Sequence, residues 1–202
     1  MFRTLFRKVL RPLAYEYVRA VSPHPISVPI DPFEVTILED RAFLDSVQEI
    51  SPYTLLDTSR LANLWQLCRM TNPAGRIVEV GTYKGGGALH LSNCCPDRKI
   101  IICDSFSGFE AIDPKLDGNF DKQMFKDSRQ EAVESLFRTR QRNYELIAGF
   151  FPESCHGKNI GPVSFVHLDV DIYKATIESL YYLHDLMMEK SLIVLDDYLR
   201  KT

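Results

Sequence analysis

The order of apolar and polar positions predicts that strands and helices alternate through most of the chain. Short apolar runs rich in β-branched residues are predicted as strands and cover 76–80, 100–103, 145–148, 164–168 and 192–195. Helices are predicted from 57–59 onward and near 88–93, 128–141 and 175–189. Near-continuous apolar strands separated by helices are typical of a parallel sheet that is covered on both faces. The pattern therefore predicts an α/β fold with a doubly wound parallel sheet.

A glycine-rich turn, Gly81 to Gly87, follows the first strand. Glycines at such a turn let backbone N–H groups approach a ligand, and the next helix presents the positive end of its dipole. The spacing matches neither G-x-G-x-x-G nor a phosphate loop that ends in Gly-Lys-Ser/Thr. Glu79, near the end of the strand, suits an ammonium group or ribose hydroxyls better than a diphosphate. The turn predicts a site for an amino-acid-bearing nucleoside, with S-adenosylmethionine (SAM) the obvious candidate; a purely structural turn is the alternative.

Special residues stand at the carboxyl end of every predicted strand: Glu79, Asp104, Gly149, Asp169, Asp196 and Asp197. Ligands bind at this edge in open α/β sheets. Asp104 follows Gly81 by 23 residues, close to the ~20-residue offset at which an acid accepts hydrogen bonds from ribose hydroxyls. Asp104 is therefore predicted to bind the ribose of the cofactor, and a solvated turn acid is the alternative.

Four aspartates are predicted to converge at the ends of the fourth and fifth strands: Asp169, Asp171, Asp196 and Asp197. Hard divalent cations prefer carboxylate oxygens, and Mg²⁺ keeps positions open for water or substrate. Because close carboxylates repel one another, a cation is the simplest way to neutralise them. The alternative is that one or two of them, above all Asp197, cap the following helices. His167 shares a face of its strand with Asp169 and is interpreted as a core histidine.

The first 50 residues are predicted to form a separate helical and extended segment. Residues 1–20 place apolar side chains at helical spacing among several arginines. This pattern fits a basic amphipathic helix on an anionic membrane, but a helix that packs on its own domain or on a second copy of the chain is favoured. The proline-rich residues 22–36 indicate an extended connector. After the second strand, the polar insertion 115–129 is either a mobile lid or a long surface loop.

Composition and charge exclude several classes of function. A chain of 202 residues has single-domain size, and a net charge of −3 with a pI near 6.0 gives no basic field for nucleic acid. No apolar run approaches the ~20 residues of a membrane span, and no signal peptide is recognisable. The five cysteines include no C-x-x-C pair, so a reduced, cytoplasmic setting is expected.

Five motifs carry a family resemblance from about Tyr53 to Tyr198. They read VEVGTYKGG (78–86), CDSFSGFE (103–110), GFFPES (149–154), HLDVDIY (167–173) and LDDY (195–198). In combination they resemble the macrocin O-methyltransferase family (TylF/MycF type) of the class I SAM-dependent methyltransferases. The resemblance implies a Rossmann-like sheet and methyl transfer from SAM to a hydroxyl of a sugar, glycan or secondary metabolite, with a divalent metal.

The resemblance also implies roles for individual residues. The cofactor-binding residues would be Glu79, Gly81, Thr82, Tyr83, Gly85, Asp104, Ser105, Gly149 and Phe150. Asp169, Asp196 and Asp197 would be the ligands of Mg²⁺ or a similar ion. Asp171 would be the catalytic base, with Asp169 as its partner in catalysis.

Two departures from the family pattern are visible. Met188-Glu189-Lys190-Ser191 stands where the family usually has a glycine-containing turn. The chain stops at Thr202, whereas class I methyltransferases continue through another helix and a final antiparallel strand pair. The methyltransferase domain, residues 51–202, is therefore expected to be incomplete at its C-terminal end.

Three alternatives to an active methyltransferase stay open. One is a non-catalytic relative that binds SAM or a partner. Another is an NAD(P)-dependent oxidoreductase, which the absence of G-x-G-x-x-G and the four crowded aspartates disfavour. A phosphotransferase is weaker still, because no phosphate-gripping pattern accompanies Asp169 and Asp171.

Overall fold

The computed structural model describes residues 37, 39–118, 120–122 and 124–196. The chain divides into two compact units, Met1–Arg41 and Ala42–Thr202. The predictions for residues 1–20 and for the connector 22–36 lie outside the described residues, and so does Asp197. The final residues, 197–202, lie outside them as well, so the expected absence of the last strand pair stays a prediction.

Helices and strands alternate along the second unit, in the order that the apolar pattern predicts. The helices are α1 (Arg41–Ile50), α2 (Thr58–Arg69), α3 (Gly86–Cys94), α4 (Gln130–Thr139) and α5 (Tyr173–His184). The strands are β1 (Arg76–Val80), β2 (Ile100–Asp104), β3 (Tyr144–Ala148), β4 (Val163–Leu168) and β5 (Met187–Leu195). Two short 3₁₀ turns lie at Ser51–Tyr53 and Glu153–Cys155.

The sheet is doubly wound, with strand order β3-β2-β1-β4-β5 and parallel pairing throughout. β1 is the central strand, and Glu79 pairs with Ile102 on one side and with His167 on the other. The chain leaves β1 toward β2 and β3 and later returns to β4, so the winding reverses between β1 and β4. Ligands bind at such a reversal point in open α/β sheets. The predicted doubly wound parallel sheet is confirmed.

The core lies along the three central strands, because helices cover both of their faces. Ile77 in β1, Ile101 in β2 and Phe165 in β4 are fully buried. A strand with both faces covered gains apolar contacts at every position, which explains why these segments are near-continuous apolar runs rather than alternating ones.

Three helices are held together by a buried histidine. His90 in α3 bonds Ser46 Oγ in α1 through Nδ1 at 2.8 Å and Leu61 O in α2 through Nε2 at 3.1 Å. The rings of Phe43 and Trp65 pack against it, with centroids 5.7 and 5.0 Å away. Burial lowers the pKa of His90 to about 4, so the ring is neutral at pH 7 and serves as a hydrogen-bonding core residue.

The start of α2, which was predicted at residues 57–59, is fixed by Asp57. Its Oδ1 accepts hydrogen bonds from the N–H groups of Ser59 and Arg60 at 2.9 and 3.0 Å. Such an N-cap satisfies backbone donors that have no partner within the helix.

The predicted extension of the last helix to Glu189 is wrong. α5 ends at His184, and β5 begins at Met187. The pairing with β4 shifts between Met187 and Leu192, and Lys190 has a positive φ of 58°. This irregularity interrupts the alternation of the strand, so its first residues resemble the end of a helix.

No helix in the described part of the chain is both long and apolar enough to cross a membrane.

Candidate active site

A cleft of about 240 Å³ opens at the carboxyl edge of the sheet, beside the reversal point between β1 and β4. Residues that follow each of the five strands line it, and so do residues 53–56 and Arg60 from the start of α2. The lining includes the following predicted site residues: Glu79, Gly81, Thr82, Tyr83, Asp104, Ser105, Gly149, Phe150, Asp169, Asp171 and Asp196. Most of the residues that the sequence predicts for the site therefore lie around one cleft in the fold.

Gly85 is the exception among the described residues. It is the N-cap of α3 with φ 88°, and it does not belong to the cleft lining. A Cβ at this position would meet Val133 and Leu136 of α4 at 3.1 and 3.3 Å. These contacts indicate that Gly85 lets the start of α3 pack closely against α4.

Gly81 is required by close packing of two loops. Its φ is 84°, and a Cβ built on it would lie 1.8 Å from the backbone oxygen of Asp169. No side chain fits there, so the turn after β1 contacts the loop after β4 directly. This contact places the predicted cofactor turn beside the predicted catalytic loop.

Glu79 is a buried acid with both carboxylate oxygens engaged. Oε1 lies 2.9 Å from His167 Nδ1, and Oε2 accepts a hydrogen bond from Thr82 Oγ1 at 2.5 Å. Only 1% of Glu79 is exposed. Each oxygen retains a further lone pair, so Glu79 can still accept a hydrogen bond from a ligand in the cleft.

Asp104, at the end of β2, holds two turns in place. Its Oδ2 accepts hydrogen bonds from the N–H groups of Thr82 and Tyr83 at 2.8 and 2.9 Å, and Oδ1 accepts one from Phe106 N–H at 2.8 Å. Burial raises the pKa of this carboxyl, and Glu79 adds to the effect, while the three N–H donors oppose it. Asp104 therefore joins the turn after β1 to the loop after β2.

The loops after β2 and β3 also turn through unusual backbone conformations. Ser105 Oγ donates a hydrogen bond to Gly108 O at 2.9 Å. Gly149 has a φ of 127°, and its N–H donates to Asp104 O at 2.9 Å. Phe150 follows, half-exposed, on the wall of the cleft. These residues surround Asp104, as expected of one ligand site.

His167, Asp169 and Asp196 form a compact group at the ends of β4 and β5. One side-chain atom from each lies within 4.8 Å of the others. His167 is 1% exposed, and its Nε2 has no hydrogen-bond partner in the described part of the structure. The nearest acid, Asp196 Oδ1, lies 3.9 Å away. A core histidine normally has a hydrogen-bond partner for each ring nitrogen, whereas the buried Nε2 of His167 lies beside two carboxylates without one among the described residues.

The charge on His167 follows from its neighbours. Burial favours the neutral ring, but Asp196 and Glu79 on either side of it raise the pKa of His167 to about 10. His167 is thus a positive charge between two acids at neutral pH. The strand pattern placed His167 on the same face as Asp169 but could not show that Nε2 is left open.

Arg60 is a site residue that sequence reasoning missed. Its Nη1 lies 2.6 Å from Asp196 Oδ2, although the two residues are 136 positions apart. The cap at Asp57 fixes the first turn of α2 and so directs Arg60 toward the cleft. An arginine on the exposed side of a helix has no local signal for such a contact, so only the fold reveals it.

The loop after β4 carries the predicted base. Asp171 has a φ of 61°, in the left-handed region that non-glycine residues rarely adopt. Asp117, which is 3% exposed, accepts hydrogen bonds from Tyr173 N–H at the start of α5 and from Asp113 N–H, both at 2.7 Å. The insertion after β2 is thereby fastened to the helix that follows Asp171.

Aromatic contacts hold the rest of the insertion against the cleft. Phe109 packs edge-on against Phe120 and Phe125, with centroids 5.4 and 5.8 Å away, and Phe125 packs against Tyr83 at 5.7 Å. Tyr83 also donates a hydrogen bond to Asp127 Oδ2 at 2.9 Å. The sequence left residues 115–129 as either a mobile lid or a long surface loop, and these contacts do not decide between the two. They show that Phe125 and Asp127 of this segment pack against Tyr83 and that Phe125 lines the cleft.

The cleft is strongly acidic. Among the described residues of the lining, two permanently cationic side chains, Arg60 and Lys174, face eight carboxylates. The acids are Glu79, Asp104, Glu110, Glu153, Asp169, Asp171, Glu178 and Asp196. This field attracts ligands with positive charge and repels diphosphates.

Residues 43–202 match the family Macrocin-O-methyltransferase (TylF). One similar protein is the demethyldecarbamoylnovobiocin O-methyltransferase of Streptomyces niveus, with 25% identity over 166 residues, 73% of this chain and 63% of that protein. Another is the mycinamicin III 3''-O-methyltransferase of Micromonospora griseorubida, with 22% identity over 188 residues, 80% of this chain and 74% of that protein.

Solved structures show the same fold. The O-methyltransferase NovP superposes with a TM-score of 0.59 at 22% identity and covers 73% of this chain and 68% of its own. The calicheamicin methyltransferase CalS11 superposes with a TM-score of 0.58 at 16% identity and covers 95% of this chain and 78% of its own. The class I, Rossmann-like fold is thus shared.

The chain spans 63% of the length of the Streptomyces niveus relative, which is less than two thirds. The family match is broader in terms of this chain, because it extends from residue 43 to residue 202 and contains all the predicted site residues. Fold, motifs and family match agree: the chain belongs to the macrocin-O-methyltransferase (TylF) family.

Proposed function

We propose that this chain is a SAM-dependent O-methyltransferase that acts on a hydroxyl of a sugar, glycan or secondary metabolite. The observation that carries the proposal is the acidic cleft at the reversal point of the sheet, lined by the glycine turn and by Asp104. SAM carries an ammonium and a sulfonium group, which this field favours. Two similar proteins are named as O-methyltransferases of demethyldecarbamoylnovobiocin and of mycinamicin III, which supports a small-molecule acceptor.

The cleft chemistry disfavours an NAD(P)-dependent oxidoreductase. A dinucleotide requires N–H groups that are free to bind its diphosphate at the start of the first helix. In this turn the N–H groups of Thr82 and Tyr83 already donate to Asp104. A carboxylate thus occupies donors that a diphosphate would use.

The residues at the ends of β4 and β5 fit a divalent metal. The fit rests on carboxylate oxygens of Asp169 and Asp196, which lie within 4.8 Å of each other and of a ring nitrogen of His167. His167 carries a proton at neutral pH, so its Nε2 could join the ligands only with release of that proton. We propose Asp169 and Asp196 as ligands of Mg²⁺ or a similar ion, with Asp197 as a third that lies outside the described residues. A bound ion of this kind lowers the pKa of a coordinated hydroxyl.

The remaining catalytic tasks fall to side chains of this chain. Asp171 is proposed to accept the proton of the acceptor hydroxyl, since it lines the cleft beside Asp169. Asp104, Ser105, Gly149 and Phe150 are proposed to bind the nucleoside of SAM. The aromatic side chains around Phe125 are proposed to limit the access of water, and the contact between the loops at Gly81 and Asp169 is proposed to set the separation of donor and acceptor.

The five cysteines are all free thiols, which supports the proposal of a reducing, cytoplasmic setting.

Two measurements test the cofactor and the reaction. Calorimetric titration with SAM and, separately, with NAD should give heat of binding for SAM alone. With radiolabelled SAM and a panel of glycosides, we expect label in a hydroxyl of the acceptor. Asp171→Asn should lower turnover by about 10²-fold or more, the scale of a lost general base.

Glu178→Gln is the matched control for that variant, because Glu178 lines the same cleft and has no proposed role. Equal turnover in Asp171→Asn and the parent chain would remove Asp171 as the base. SAM binding without transfer to any acceptor would favour the non-catalytic relative instead.

The metal is tested separately by thermal unfolding. We expect millimolar Mg²⁺ to raise the melting temperature, because an ion that binds the folded state stabilises it by mass action. Sodium chloride at equal ionic strength should give no such shift, and Asp196→Asn should abolish it. Since this variant also loses the ion pair with Arg60, Arg60→Ala is the control, and it should keep the shift. A shift that NaCl reproduces would contradict the metal site.

A further inference from the structure

Three thiols meet at the opposite edge of the sheet from the cleft. Cys68 lies in the last turn of α2, Cys94 is the last residue of α3, and Cys95 follows as its C-cap. One sulfur from each lies within 4.8 Å of the other two. Cys95 Sγ is 3.8 Å from both Cys68 Sγ and Cys94 Sγ. None of these residues lines the candidate active site.

Two of the three sulfur–sulfur separations match the edge of a metal–thiolate tetrahedron, and the third is within 4.8 Å. With a Zn–S bond of about 2.3 Å, two sulfurs on one tetrahedral ion lie about 3.8 Å apart. The distance alone does not identify a site, since the buried thiols of Cys103 and Cys155 also lie 3.8 Å apart. The third sulfur and the charge beside it distinguish the cluster at Cys95 from that simple pair.

Arg98 supplies that charge. It is 8% exposed, and its Nη1 lies 3.6 Å from Cys68 Sγ and 3.9 Å from Cys95 Sγ. Its other partners among the described residues are neutral oxygens: the carbonyls of Gly75 and Cys68 and the hydroxyls of Thr71 and Ser164. Among the described residues no carboxylate pairs with Arg98. Its buried positive charge therefore lies beside thiol groups.

The cluster is electrostatically incomplete for this reason. Buried charges are normally paired. Three thiolates around a divalent ion carry a net charge of −1, which the guanidinium would neutralise. The C-terminal ends of α2 and α3, both negative by their dipoles, point a further favourable field at a cation.

We propose that Cys68, Cys94 and Cys95 form a binding site for a thiophilic divalent metal ion of the Zn²⁺ class, with Arg98 as the charge that balances it. Thiolates select such ions over Mg²⁺. The half-buried positions of Cys94 and Cys95 leave a fourth coordination position open to water. Binding releases the thiol protons to solvent and replaces the weak hydrogen bond from Cys94 Sγ to Trp65 O. The site ties α2 to α3.

Cd²⁺ is the probe, because cadmium bound to thiolates has an ultraviolet charge-transfer band that carboxylate sites lack. The full chain, reduced and stripped of metal with a chelator, is titrated with Cd²⁺ and then with Zn²⁺ in competition. We expect the band to saturate at one ion per chain and Zn²⁺ to displace it. Saturating Zn²⁺ should also raise the melting temperature.

Cys95→Ser should weaken Cd²⁺ binding at least tenfold and diminish the band, because Cys95 is the sulfur shared by both short contacts. Cys155→Ser removes a thiol with the same 3.8 Å contact but no third sulfur, so it should leave the band unchanged. Asp196→Asn, at the other metal candidate, should also leave it unchanged. Cys94→Ala provides a second test if Cys95→Ser does not fold, as judged by circular dichroism.

A band that is absent, or that is equal in Cys95→Ser and the parent chain, would overturn the proposal. A second outcome would also overturn the proposal: two titratable thiols are lost when the metal-free protein is kept without reductant, and no Cd²⁺ band appears after reduction. The cluster would then be a disulfide pair.

Discussion

At the scale of single residues, the buried charges of the cleft form a chain across the sheet. Glu79 in β1, His167 in β4 and Asp196 after β5 follow one another, and Arg60 closes the series with a 2.6 Å contact to Asp196. Acid and base alternate along it, so each charge has an opposite neighbour. A change at any one of them leaves a buried partner uncompensated, which costs more than the loss of a surface pair.

Asp104→Ala should weaken SAM binding by about 1–3 kcal/mol, the scale of a hydrogen bond to a charged group. The structure adds that three N–H groups lose their acceptor at once. The turn after β1 should therefore also loosen. Calorimetric titration with SAM measures the first effect, and hydrogen exchange at Thr82 and Tyr83 measures the second.

Glu153→Gln is the control for Asp104→Ala, because Glu153 lines the cleft without a predicted role. Unchanged SAM affinity in Asp104→Ala would remove Asp104 from the cofactor site and leave it as a purely structural tie between two loops.

Residue identities at strand ends were predictable, because parallel strands bring their carboxyl ends to one edge. Contacts made by residues far apart in sequence were not. Arg60 and Asp117 both reach across the fold, and neither belongs to a motif with defined spacing. The sequence placed His167 on the same strand face as Asp169. That its Nε2 has no partner among the described residues depends on distances between packed strands, which the sequence does not give.

At the scale of elements, α1, α2 and α3 depend on the neutral state of His90. Its ring bonds Ser46 and Leu61 and lies among Phe43 and Trp65. The sequence predicted α2 and α3 from apolar spacing and, for α2, from candidate capping residues at 57–59. It did not assign a partner to His90, because a lone histidine on a helix has no local signal of what it will face.

The pH dependence of stability follows from the pKa of His90, which falls from 6.5 in the unfolded chain to about 4 in the fold. Between these values the unfolded chain binds a proton that the folded chain does not. The free energy of unfolding should therefore decrease as pH falls from 6.5 to 4, by up to about 1.4 kcal/mol per pH unit. Denaturant unfolding across this range measures it.

The comparison with His90→Gln isolates this effect from the titration of acids. The amide can replace both hydrogen bonds but does not titrate, so the variant should lose that share of the pH dependence. His184→Gln, at an exposed position, should keep it. Parallel pH profiles for the parent chain and His90→Gln would contradict the assignment.

The strands were predicted better than the ends of the helices. The β4 and β5 runs were recognised because they are continuous and apolar. The first residues of β5 were assigned to the preceding helix, because the bulge at Lys190 breaks the strand pattern. Irregular pairing of a strand depends on its neighbouring strand, so the local spacing of apolar residues does not reveal it.

At the scale of the whole molecule, the two ends of the sheet have separate chemistry. The carboxyl edge carries the acidic cleft, and the opposite edge carries the thiol cluster beside Arg98. α2 and α3 connect them, since their first turns approach the cleft and their last turns hold the thiols. A metal at the thiols would therefore stiffen helices whose other ends shape the cofactor turn.

The role of residues 1–20, which lie outside the described residues, is tested by deletion. If this segment packs on protein, as its apolar spacing predicts, its removal should change the oligomeric state or lower the melting temperature. Analytical ultracentrifugation and thermal unfolding measure these effects. Salt-sensitive binding of the intact chain to anionic liposomes would support the membrane interpretation instead.

The tie made by Asp117 has a consequence for how the protein responds to an acceptor. One buried carboxylate accepts hydrogen bonds both from Asp113 at the edge of the insertion and from Tyr173 at the first turn of α5. Local unfolding of the insertion and fraying of α5 are therefore expected to be coupled. A molecule that keeps the insertion shut also restrains Asp171, two residues before Tyr173. By linkage, an acceptor that binds the ordered form more tightly raises the population of that form by the same difference in free energy, and Asp171 is held in place with it.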